Sequence, residues 1–120
     1  MQFVLIVFQG TTPLPDTPAW DALSAAEQPA VYADYAGVNE TPGLTPGLPL
    51  GLARDARTVT VQDGETIVAE GPYLVEHDRA AGGYSILEAD SIDEAVALAA
   101  RIPAARLGGG IEIRPVSTYW

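Results

Sequence analysis

Asp63-Gly64 sits between two alternating runs, Thr58-Val59-Thr60-Val61-Gln62 and Glu65-Thr66-Ile67-Val68-Ala69. A two-residue hairpin turn needs positive φ at both central positions, and Asp-Gly meets that need while β-branched alternation supplies the flanking strands. The pair therefore predicts a β-hairpin over 58–69. Gly71-Pro72 stops its second strand, because proline has no N–H to give to a ladder. Gly82-Gly83 lets the chain turn tightly before the apolar run Tyr84-Ser85-Ile86-Leu87.

Gln2 to Phe8 reads as a first strand. It is apolar at both odd and even positions, which suits a central strand covered on both faces. The run is too short to span a bilayer and lacks the basic region and cleavage site of a signal peptide. Gly10 to Pro18 is a loop. Pro18-Ala19-Trp20 opens a first helix, with Trp20, Leu23, Glu27, Val31 and Tyr35 at three- and four-residue spacings. Ser24 with Glu27 also matches a capping box, which offers a later start at Leu23 or Ser24 and would put Pro29 near the second turn. From Asn39 to Gly51, Pro42, Pro46 and Pro49 alternate with glycines and leucines. This segment is either a rigid connector packing leucines over the sheet or a wall of a ligand pocket.

After the hairpin comes an irregular segment from Tyr73 to Ala81, then a strand from Gly83 to Glu88. Ser91 with Glu94 caps a second helix over Ile92 to Ile102, which Pro103 ends. Gly108-Gly109-Gly110 leads into a last strand, Ile111 to Val116, alternating Ile, Glu, Ile, Arg. The order β-α-β-hairpin-β-α-β predicts one α+β domain over residues 1–120: a ferredoxin-like split βαβ plan, βαββαβ, with an inserted hairpin. With helices on one sheet face, the apolar first strand leaves the other face in need of cover, which is the physical case for a homodimer.

Composition narrows the function classes. The chain has 16 acidic and 6 basic residues, all arginine, and a net charge of −10. That balance excludes nucleic acid, whose phosphates require cationic partners, and disfavours anionic membranes. There is no cysteine, hence no disulfide, thiol nucleophile or zinc-thiolate site. No phosphate-binding glycine loop or metal-spacing motif appears, so no cofactor and no metal is expected. A cytoplasmic protein is the expectation.

Glu70-Gly71-Pro72-Tyr73, Gly82-Gly83-Tyr84, Asp93-Glu94-Ala95, the exit Ile102-Pro103-Ala104-Ala105-Arg106 and the final Glu112-Ile113-Arg114-Pro115 together resemble the YCII-related family, in its branch marked by an Asp-Gly-Pro-Phe motif. The resemblance covers nearly the whole chain and implies a ferredoxin-like fold of the dimeric α/β-barrel type. Some members of the family are enzymes with a His-Asp pair, the Asp near the end of the first strand and the His in the first helix. Here the strand ends Phe8-Gln9-Gly10 and the helix holds Tyr32, Asp34 and Tyr35 without histidine. The isomerase or dehydrochlorinase chemistry of such relatives is therefore not implied.

Candidate site residues are few. His77, the one histidine, is flanked by Glu76 and Asp78 and is the natural acid or base near neutral pH. The simpler reading is a solvated loop residue in an acidic segment. Tyr32 and Tyr35 share a helix face and either pack in the core or line a pocket. Leu48 stands for the Pro/Gly loop. Arg114, on the last strand, is a candidate clamp for a carboxylate ligand. The leading expectation is a YCII-like small-molecule-binding protein, with His77, Tyr32, Tyr35, Leu48 and Arg114 around the ligand. One alternative is a cofactor-independent enzyme acting on a small organic compound through His77 and Tyr35. The other, implied by the resemblance, is an accessory of sigma-factor regulation.

Overall fold

The computed structural model describes residues 1–74 and 80–119. Its strands are β1 (Gln2–Phe8), β2 (Leu44–Pro46), β3 (Arg57–Gln62), β4 (Glu65–Glu70), β5 (Ala81–Glu88) and β6 (Gly110–Pro115), and its helices are α1 (Pro18–Asp21), α2 (Glu27–Asn39) and α3 (Ile92–Ala99). Two 3₁₀ turns, Ala53–Asp55 and Pro103–Ala105, complete the described elements.

Four strands form one antiparallel sheet in the order β2-β5-β1-β6. The apolar run 2–8 therefore lies at the centre, paired with β5 on one side and β6 on the other. This α+β plan is compatible with a ferredoxin-like fold. Residue parity divides β1. Phe3 and Leu5, both fully buried, face α2 and α3 in a core with Val38, Leu87, Ala95, Leu98, Ile102 and Ala104. Val4, Ile6 and Phe8 point to the opposite face and are half-buried. There Ile86 stands opposite Val4 and Tyr84 opposite Ile6, at 37% and 45% exposure.

β3 and β4 form a separate two-stranded sheet, joined by the two residues between Gln62 and Glu65. Asp63 and Gly64 both adopt positive φ, +51° and +79°, as the right-handed twist of a tight hairpin requires. One face of the hairpin carries Val59, Val61 and Val68, all exposed.

Three elements differ from the sequence-based expectation, each for a local reason. The first helix is two helices. Thr17 caps the four-residue α1 by accepting from the Trp20 N–H at 3.3 Å, and Ser24 Oγ accepts from the Glu27 N–H at 3.2 Å at the start of α2. Pro29 then falls in the first turn of α2, where backbone N–H groups have no intrahelical acceptor, so it removes no hydrogen bond. The segment 39–51 is more than a connector. Leu44, Thr45 and Pro46 pair with Leu87, Ile86 and Ser85 as an edge strand, where a proline is tolerated. The last helix stops at Ala99, because Pro103 holds Ile102 extended and the final turn tightens through Arg101 N–H to Leu98 and Ile102 N–H to Ala99 carbonyls, each 3.0 Å. At its start the Glu94 N–H donates to Ser91 Oγ at 3.2 Å, and Glu94 Oε2 accepts from the Asp90 N–H at 3.0 Å.

Candidate functional site

β1 ends beneath a crowded crossing of backbones. Gly10 has φ +56°, and a Cβ there would strike the Gly108 carbonyl. The Thr11 N–H donates to that same carbonyl at 3.1 Å, and the Thr12 N–H donates to Gln9 at 2.9 Å. The glycines thus allow the chain to leave the sheet in a tight turn and run back over it. Gln9 folds against Gly82 on β5, where its side chain occupies the space that a Cβ would take.

That turn closes one end of a cavity of about 440 Å³, within the range of small-molecule sites. Its floor is the helix-facing side of the sheet, with Val7, Gly83 and the buried Ser85. α2 contributes Val31, Tyr32, Tyr35 and Val38. One wall is the run from Pro46 to Pro49, which extends β2 along β5 through Gly47 N–H to Tyr84 O at 2.9 Å and Leu50 N–H to Gly82 O at 3.0 Å. The other wall is the loop from Thr12 to Pro15. Trp20 of α1 fills the corner, buried, with its ring edge-on to Tyr32 at a centroid distance of 5.3 Å and 72° between planes. Gln28 Nε2 donates to the Trp20 carbonyl at 3.0 Å and ties α1 to α2.

The described polar groups that line the site carry no formal charge. Burial pushes the Tyr35 phenol above its ordinary value of 10.0, so it stays protonated and is able to donate. Gln9 Oε1 and Thr12 Oγ are shielded from solvent and have no hydrogen-bond partner among the described residues. None of the described lining residues is charged. Asp34, on α2, is engaged elsewhere, accepting from Arg106 Nη2 at 2.6 Å. No group of three or more His, Cys, Asp or Glu side chains able to hold a metal occurs among the described residues. Nor is any described helix long and apolar enough to cross a membrane.

Of the residues singled out by sequence, the cavity brings together Tyr32, Tyr35 and Leu48. Arg114 stands opposite Val4 on the other face of the sheet, where its Nε donates to Glu112 Oε2 at 3.0 Å, and it does not line the cavity. His77 lies outside the described residues. Gln9, Thr12 and Trp20 were not among the expected site residues. Trp20 carried a signal in its helical spacing with Val31 and Tyr35, whereas Gln9 and Thr12 acquire their place only through the glycine crossing.

No curated protein matches the chain. The model of the YCII-related domain matches residues 16–119, nearly the whole chain, and the chain belongs to the YCII-related family.

Proposed function

We propose that this YCII-related domain binds a small organic molecule in the cavity between α2, the sheet and the 46–49 wall, without the His-Asp dyad of catalytic relatives. The observation that carries this reading is the cavity itself. It is built from rigid prolines and aromatic rings, which lose little freedom on binding, around neutral hydrogen-bonding groups. The residue that follows β1 in it is Gln9, whose side chain does not titrate.

We further propose a homodimer of the barrel type, in which a second copy covers Val4, Ile6, Phe8 and Ile86. Support comes from the apolar middle of that face, beside which lie the ion pairs of Glu112 with Arg114 and of Glu88 with the N-terminal ammonium. The motif Glu70-Gly71-Pro72-Tyr73 supports placement in the Asp-Gly-Pro-Phe branch.

Filling the cavity tests the binding reading. A Cβ on Gly83 would have its nearest neighbour, the Leu48 carbonyl, at 3.9 Å, so a larger side chain enters open space. The purified protein, extracted and analysed by mass spectrometry, is expected to release a co-purifying small molecule that Gly83→Leu protein lacks. A folded Gly83→Leu protein that retains the same molecule would overturn the assignment of this cavity.

A further inference from the structure

The chain carries 22 charged residues of 120, yet none of the described residues lining the cavity is charged. From this, from the aromatic residues of α1 and α2 that line it and from two unpartnered polar atoms on residues at one end, we propose that the ligand is a planar, uncharged aromatic molecule bearing an amide, with the amide seated against Gln9 and Thr12. The proposal rests on the reading of the cavity as a binding site and narrows it to a ligand class.

Charge is the first constraint. A carboxylate or ammonium group moved into this cavity loses water and meets no counter-charge among the described lining residues, which disfavours burial. The acidic surface adds long-range repulsion for anions. For cations, Asp34 on α2 is already held by Arg106.

Shape is the second. Trp20, Tyr32 and Tyr35 line the cavity, and the prolines of both walls are stiff. Such a slot favours a ring system over a branched aliphatic body.

Hydrogen bonding is the third. Gln9 Oε1 and Thr12 Oγ are shielded from solvent, so their side chains turn to meet a ligand; Gln9 Oε1 then needs a donor, and Thr12 Oγ can give or accept. The Gln9 amide as a whole offers one acceptor and a pair of donors, so a ligand amide complements it in either orientation. A carboxylate offers acceptors only and leaves Gln9 Oε1 unpaired. A site built around such groups discriminates against analogues that lack the matching partner.

Four bicyclic probes that differ in one substituent separate these elements: naphthamide, naphthoate, naphthylmethylamine and methylnaphthalene. Each is titrated near neutral pH into isotope-labelled wild-type, Gln9→Leu and Gly83→Leu protein, and amide and indole shifts of Trp20, Val31 and Tyr35 are followed. Naphthamide is expected to bind at least about tenfold more tightly than naphthoate or the amine. Gln9→Leu is expected to erase its advantage over methylnaphthalene while methylnaphthalene still binds, and Gly83→Leu to abolish both. Naphthoate or the amine binding as tightly as naphthamide would overturn the ligand class and leave the binding site standing. An unchanged naphthamide affinity in Gln9→Leu would overturn the amide seat. If none of the four, methylnaphthalene included, shifts the cavity residues of the wild-type protein, the binding reading itself falls, and the ligand class with it.

Discussion

The Gln9 side chain lies in the space a Cβ on Gly82 would occupy, so residue 82 and residue 9 cannot both be large. The atoms in the way belong to a flexible side chain, and this decides the outcome of a substitution. Gly82→Ala is expected to cost no more than about 1 kcal/mol, because Gln9 can turn to another rotamer. It should nevertheless change the polar end of the cavity. Urea denaturation gives the stability, and the shift of the Gln9 side-chain amide resonance gives the displacement.

Gly10→Ala should behave differently. Here the obstacle is the backbone of Gly108, and φ is +56°. Left-handed strain and overpacking together predict a loss of roughly 2–4 kcal/mol, measured by the same denaturation curves. Equal effects from Gly10→Ala and Gly82→Ala would contradict the distinction between rigid and flexible neighbours.

Replacing Asp63-Gly64 by Ala-Ala removes the two residues that tolerate positive φ. A loss of about 1–3 kcal/mol is expected, confined to the hairpin, since β3 and β4 share no ladder with the main sheet. Hydrogen exchange should accelerate at residues 57–70 and stay unchanged in β1. Uniform acceleration through β1 would show that the hairpin supports the core.

The Tyr35 phenol is held neutral by burial. Its raised pKa means that the folded chain keeps the proton more tightly than the unfolded one. That contribution to stability is complete below the unfolded value of about 10 and is lost as pH rises through the folded value. An alkaline titration of phenolate absorbance should contain a late component that disappears in Tyr35→Phe. The same late component in the variant would assign it elsewhere.

Ile86→Glu tests the proposed dimer. Ile86 is 37% exposed in the single chain, so a carboxylate there can reach water at a cost below about 1 kcal/mol. Across a dimer interface it would be buried without a partner. Sedimentation at micromolar concentration is expected to show a wild-type dimer and a folded monomeric variant. A wild-type monomer would remove the second copy from the reading.

Much of this architecture was written locally. The turn at Asp63-Gly64, the Ser91 and Glu94 cap and the central placement of residues 2–8 follow from φ preferences, capping chemistry and continuous hydrophobicity. β2 escaped because three residues cannot display a period, and Pro46 disguised an edge position. The side of the sheet taken by Arg114 was legible: it alternates with Ile111 and Ile113, which pack on the core, and so faces away from the helices. Gln9 was not legible. Its place depends on Gly82 and on the Gly108 crossing, more than seventy residues distant in sequence.

The proline in β2 reaches beyond its own turn. A sheet can grow by borrowing strands wherever an edge presents free amides. On the β2 side Pro46 has no amide hydrogen, Gly47 and Leu50 already spend theirs on β5, and Pro49 again has none. Between Pro46 and Leu50 only the Leu48 N–H is left to a neighbouring chain, too little to set a register. The opposite edge, β6, lasts only from Gly110 to Pro115 before a proline ends it. Fibrous polymerisation of this sheet would therefore have to start on β6, and it would start on a strand too short to template a long one.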